Sequence, residues 1–249
     1  MKYLILISCL FLLGCGSTTE SEEMTAEILV DRYTEAIGGR MAIESVSSLE
    51  FRGLYVEPAY NIVIPAGILQ KRPYYRVVGD LGTVGFMEGY NGTAWEYHEG
   101  KGLTLSKGEA REAILVGSQF DHPFLDADKK GNKLVYRGLS EIHGQQLHEL
   151  EVEMDVAGQA YTTLFYLHPH TYLPVAQLKS MPIHAVGEEV PILVYFSEYR
   201  PVNGYLIPFT ETERDSRSGK LLNAVFWDEI IPNQEIPLEK FDPPVEQGT

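Results

Sequence analysis

Seven histidines and thirty-five aspartates and glutamates are the groups with which this 249-residue chain could do acid–base or metal chemistry. His168-Pro169-His170 sets two imidazoles two residues apart, a spacing that on a strand puts both on one face and could begin a metal site. Pro169 and the following Thr171-Tyr172-Leu173-Pro174 make the segment a turn instead, so exposed turn histidines are expected. His143 and His148 flank a hairpin strand, with His148 on its apolar side. That position suits a histidine satisfied in the core or at an edge better than a general base. Glu149, Glu151 and Glu153 alternate along one face. Paired catalytic carboxylates need a neighbour that pulls their pKa values apart, and three like charges in a row read as the solvated side of a sheet. No Gly-x-Ser-x-Gly elbow, His-Glu-x-x-His helix, phosphate-cradling glycine loop or dinucleotide fingerprint occurs. These residues point away from an enzyme, and no cofactor or metal is expected.

The two cysteines, Cys9 and Cys15, both lie at the N-terminus. After Met1-Lys2, the run Tyr3 to Leu13 is apolar except for Ser8 and Cys9. It is about half the roughly 20 residues that a bilayer span requires, which makes it a signal-peptide core. It closes on Leu12-Leu13-Gly14-Cys15, which resembles the lipobox of bacterial lipoproteins, where the cysteine receives a diacylglyceryl thioether. The resemblance implies that residues 1–14 are removed as a signal and that Cys15 is lipidated, which excludes it as a nucleophile. Such acyl chains, at about 0.8 kcal/mol per buried methylene, anchor a domain firmly to a membrane. Residues 15–24 are polar beyond the cysteine and read as a flexible tether. Gly16 stands where an aspartate acts as an inner-membrane retention signal in some bacteria. The expected location is therefore the outer membrane of a Gram-negative cell, facing the periplasm.

Without Cys9 the mature chain has no disulfide, so its core must hold it together. The net charge is −15, or −16 once Lys2 leaves with the signal. This balance argues against nucleic acid and against docking on anionic headgroups.

The remaining sequence says what must position any site. Thr25 to Ile37 places Ala26, Leu29, Val30, Tyr33 and Ile37 at helical spacing and stops at Gly38-Gly39. A second short turn runs from Arg40 to Val46. Ser106 and Glu109 match a capping box that opens a middle helix over Lys107 to Val116. Nearly everything else alternates with period two between turn residues. Leu147 to Met154 is the clearest strand, joined by Leu49–Val56, Tyr74–Gly79, Thr83–Tyr90, Ala94–His98, Lys133–Gly138, Tyr161–Leu167, Val190–Tyr199, Tyr205–Arg214 and Leu221–Ile231. About ten to twelve strands are expected, meandering through turns such as Asn91-Gly92, Pro201–Gly204 and Asp215–Gly219. One monomeric α+β domain, mostly β, is predicted over residues 25–244, with a tail at 245–249. A sheet of that size must curl, close or split.

Several landmarks resemble, in order, the LolA/LolB-like superfamily, and more closely its branch of outer membrane lipoprotein-sorting proteins. They are Tyr33-Thr34-Glu35-Ala36-Ile37-Gly38-Gly39, Lys71-Arg72-Pro73 with Tyr75-Arg76-Val77, Tyr90-Asn91-Gly92-Thr93-Ala94-Trp95 and Phe120-Asp121-His122-Pro123-Phe124-Leu125. Tyr172-Leu173-Pro174, Phe196–Arg200, Asn203–Pro208 and Ile236–Phe241 complete the series. Most are turn and core residues. The resemblance implies an incomplete antiparallel barrel, part-covered by an N-terminal and a middle helix, whose apolar concave side holds lipoprotein acyl chains or another lipid. The aromatics Phe86, Tyr90, Trp95, Tyr97, Phe165, Tyr195, Phe196 and Trp227 are candidates for lining it. Tyr195 and Phe196 point to opposite faces, and parity alone does not say which face is concave. A membrane anchor favours a stationary or receptor-like binder over a shuttle. The alternative is a structural or interaction module of an envelope complex.

Overall fold

The computed structural model describes residues 23–80, 85–156, 158–179 and 191–244. The expected signal, Cys15, most of the tether and the tail at 245–249 lie outside the described residues.

Among the described residues, thirteen strands form one antiparallel sheet made of two meanders. The first runs β1 (Ser48–Glu57), β2 (Ile62–Lys71), β3 (Tyr74–Asp80), β4 (Gly85–Tyr90), β5 (Ala94–His98) and β6 (Gly102–Leu105). The second runs β7 (Lys133–Ile142), β8 (Gln145–Val156), β9 (Gln159–Leu167), β10 (Pro174–Lys179), β11 (Ile192–Val202), β12 (Tyr205–Asp215) and β13 (Leu221–Pro232). Their outermost members in sequence meet: β1 pairs with β13 from Leu49↔Pro232 to Val56↔Ala224. Strands β6 and β7 are left at opposite edges, so the sheet is not closed. Between those edges the chain passes through α3 (Gly108–Gly117) and α4 (Ala127–Lys130).

Three strands, β2, β6 and β10, escaped the alternation pattern. In β2 the signal is broken by Pro65 and Gly67. The structure tolerates Pro65 because pairing of β2 with β3 begins at Ala66, so the missing amide N–H falls where β2 has no neighbour on that side. The expected capping box also fails to form. Lys107 is the N-cap of α3 and no side chain caps it, while the Ser106 hydroxyl donates to Glu96 at 3.1 Å.

The N-terminal helix α1 (Ala26–Ala36) forms as its sequence demands, with the Thr25 hydroxyl accepting the N–H of Ile28 at 3.3 Å. Leu29, Tyr33 and Ile37, spaced four apart, are buried against Leu150, Val152, Phe165 and Trp227 in one core. Gly38 ends the helix at φ +117°, and a β-carbon there would sit 2.0 Å from the Gly204 carbonyl oxygen. Only glycine lets the corner before α2 (Gly39–Ser45) seat on the β11–β12 hairpin, where Leu206 N–H donates to the Ile37 carbonyl at 2.9 Å.

Candidate functional site

A cavity of about 290 Å³ opens on the face of the sheet that α1 covers. Its walls come from β1 and β2, from β8 through β13, from Tyr33 of α1 and from the α3–α4 connection. Strands β2 and β8 are seven places apart in the sheet, which laid flat would be about 34 Å. Side chains from both reach one cavity, Ile68 from one and Met154 from the other, so this face is the concave one.

Cross-strand register then assigns each candidate aromatic to a face, because directly paired residues share it. Phe165, Phe196 and Trp227 line the cavity. Tyr90 pairs with Tyr75 on the same face and packs with Ala94 and Ile114 in a satellite cluster. Phe86 pairs with Gly79 and lies over it, so that a β-carbon on Gly79 would fall 2.4 Å from its ring. Trp95, Tyr97 and Tyr195 are on the convex face. Trp95 is 1% exposed there, its indole N–H donating to the Phe241 carbonyl at 3.0 Å beneath the C-terminal 3-10 turn. Tyr195 pairs with Ala176 and packs in a separate cluster with Leu147, Tyr166 and Leu193.

Aromatic rings line much of the cavity. His122 stacks on Phe124 at 5.0 Å and meets Tyr33, Phe165 and Phe196 edge-on at 5.7, 5.6 and 6.3 Å. Burial, reinforced by Lys130, pushes the imidazole down to about 4, so it is neutral at pH 7 and offers one donor and one acceptor. Phe51 and Trp227 pack at 5.2 Å across the seam of the meanders. The buried indole N–H of Trp227 has no hydrogen-bond partner among the described residues.

Charged groups share the same lining. Lys179 and Glu211 line the cavity, and the Lys179 ammonium pairs with Glu213 at 3.1 Å. Asn223 donates to the second oxygen of Glu213 at 2.8 Å. Burial raises the Glu213 carboxyl, but Lys179 and Asn223 outweigh it and hold the group below the usual carboxylate range. Glu211 goes the other way, because burial outweighs the pull of Lys179 and raises its carboxyl.

His122, Lys179 and Glu211 were not among the candidate site residues, although His122 stands within the landmark Phe120–Leu125. The signal for Glu211 was available, since it has the strand parity of Tyr205 and Ile207, which also line the cavity.

Elsewhere, His168 Nδ1 accepts the N–H groups of His170 and Thr171 at 3.2 Å, so the histidine pair organises its own turn. His148 Nδ1 is 2.8 Å from the Tyr136 hydroxyl, and the ring stacks on Tyr172. Glu151, Glu153 and Glu149 face Arg137, Lys133 and Ser140 across the strand pair. Among the described residues, no three histidine, cysteine or acidic side chains are grouped to hold a metal.

The sheet is an open half-barrel with helices laid over its hollow. Neither a family's sequence profile nor a curated protein matches the chain. Solved structures do. A DUF1329 family protein from Desulfovibrio piger is 12% identical with a TM-score of 0.59, covering 87% of this chain and 97% of its own. A domain described as an outer membrane lipoprotein-sorting protein, from Vibrio parahaemolyticus, is 13% identical with a TM-score of 0.57 over 87% and 97%. A LolA superfamily protein from Nitrosomonas europaea is 11% identical, at 0.57 over 88% and 98%. The chain has the LolA-like fold.

Proposed function

We propose that the chain is a non-catalytic envelope protein, anchored through lipid at Cys15 to the periplasmic side of the outer membrane, that holds acyl chains or another apolar ligand in its concave cavity. The observation that carries this reading is the cavity itself, walled by Phe51, Phe165, Phe196 and Trp227 and not filled by the protein's own side chains. Each methylene moved there from water contributes roughly 0.8 kcal/mol, so affinity should climb about fourfold for each fully buried carbon until the space is full. At about 290 Å³ the cavity is at the small end of the roughly 300–1,000 Å³ typical of small-molecule sites, so the climb should level off early. Titrating probes of increasing chain length, with mass spectrometry of lipid co-purified with the protein, tests this. Phe196→Ala should weaken the longest bound probe about tenfold or more. Affinity independent of chain length, with no lipid recovered, would sink the proposal.

The second reading, an interaction module, draws on the convex surface, where paired Leu54 and Phe226 are 39% and 42% exposed. A stoichiometric protein partner and an empty cavity would favour it.

A further inference from the structure

The cavity's electrostatics say which head group its guest carries. The Lys179 ammonium is already engaged by Glu213 at 3.1 Å. Asp121, also on the lining, is held by Arg72 at 2.7 Å. What is left over is Glu211, whose carboxylate makes no hydrogen bond and no close ion pair among the described residues. Phe196 is its direct partner across β11–β12, and Tyr199 and Trp227 line the same cavity. A carboxylate without a hydrogen bond, drawn only by the Lys179 charge that Glu213 already holds, set beside aromatic rings is an arrangement that recognises an ammonium, since ring faces attract cations and the carboxylate supplies the counter-charge. A guest carboxylate would instead meet Glu211 as a like charge and find the Lys179 ammonium already taken by Glu213. Burial raises the Glu211 carboxyl, and a cationic guest beside it would draw it towards the ionised form. The indole N–H of Trp227 supplies a donor for an ester or hydroxyl oxygen next to the amine.

Building on the apolar-ligand reading, we propose that the cavity selects amphiphiles with a cationic amine head, placed between Glu211 and the rings of Phe196, Tyr199 and Trp227, over carboxylates of equal chain length. The test uses the full chain in a nonionic amphipol and three brominated probes of equal chain length, an alkylamine, an alkyl alcohol and a fatty acid. Binding is read as quenching of tryptophan fluorescence, to which Trp227 reports directly. At about pH 8 the amine is charged and the acid ionised. The amine should bind about tenfold or more tighter than the acid, with the alcohol between them. Glu211→Gln should collapse the amine-to-acid ratio, and Lys179→Met, by freeing Glu213, should widen it. Opposite movement in the two variants cannot come from general loss of fold. A lysophosphatidylethanolamine in the same assay separates sources: if it binds, the amine belongs to a membrane lipid, and if the alkylamine alone binds, to a free amine. An acid that binds as well as the amine, or a ratio unmoved by Glu211→Gln, overturns the proposal. If no probe quenches the wild type, the apolar-ligand reading itself falls.

Discussion

Single residues on the concave face carry a cost that solution pH can expose. Glu88 and Glu96 are directly paired across β4–β5, and burial followed by the charge of Glu96 pushes the Glu88 carboxyl up to about 7. Its folded value lies above its unfolded one, so the fold binds the extra proton. Stability from this group is whole below about 4.5, where both states are protonated, and is lost as pH rises through about 7. Glu88→Gln should therefore leave stability nearly unchanged at about pH 4 and raise it by about 3 kcal/mol at about pH 8, measured by urea unfolding. An equal effect at both values would show that the pairing carries no such cost. The same scale shows why the aromatics were only half legible. Period two separates Tyr195 from Phe196, but both faces of this sheet bury rings, the convex one beneath the turn that takes Trp95. Which face curls inward depends on pairings such as β1 with β13, far apart in sequence.

At the scale of elements, Arg72 ties the connection between α3 and α4 to the turn after β2, while Lys130 and Asn132 hold its Asp121, His122 and Pro123 carbonyls from the other side. Arg72, at the turn after β2, forks onto Asp121 at 2.7 and 3.1 Å, lies 3.8 Å over the Phe120 ring, and donates to the Val46 carbonyl. Phe120, Asp121, His122 and Pro123 all line the cavity, so this contact fixes one wall. Arg72→Ala should cost roughly 1–2 kcal/mol, because the pair is part-exposed, and should speed hydrogen exchange over residues 118–125 several-fold. Arg72→Lys keeps the charge without the fork and should recover less than half. Unchanged exchange in Arg72→Ala would mean that the wall stands without it. Strong local signals made most elements readable: the Thr25 cap, the Gly38 stop, and the alternation of β8. Strands β2, β6 and β10, with Pro65 and Gly67, Gly102 and Pro174 inside or at their start, showed only once their neighbours in the sheet were known.

For the whole molecule, the expected anchor gives a direct test. Labelled palmitate should mark the wild type and not Cys15→Ala, and equal labelling of both would end the lipoprotein reading. Antiparallel order was legible from local turns, because each meander is built of neighbours in sequence, but the expected ten to twelve strands fall short of the thirteen found among the described residues. The seam of β1 with β13 was not, since nothing local announces it. That seam also has a consequence for how the chain can be divided. A break near residue 107 would leave a six-strand piece and a seven-strand piece, each keeping its internal hairpins but losing half of the core around Leu49, Phe51 and Trp227. Neither fragment alone should melt cooperatively. Mixed, they should complement one another, with a melting temperature that rises with concentration as for any bimolecular assembly. A sharp, concentration-independent melt from either piece would show that the two meanders are autonomous and the seam incidental.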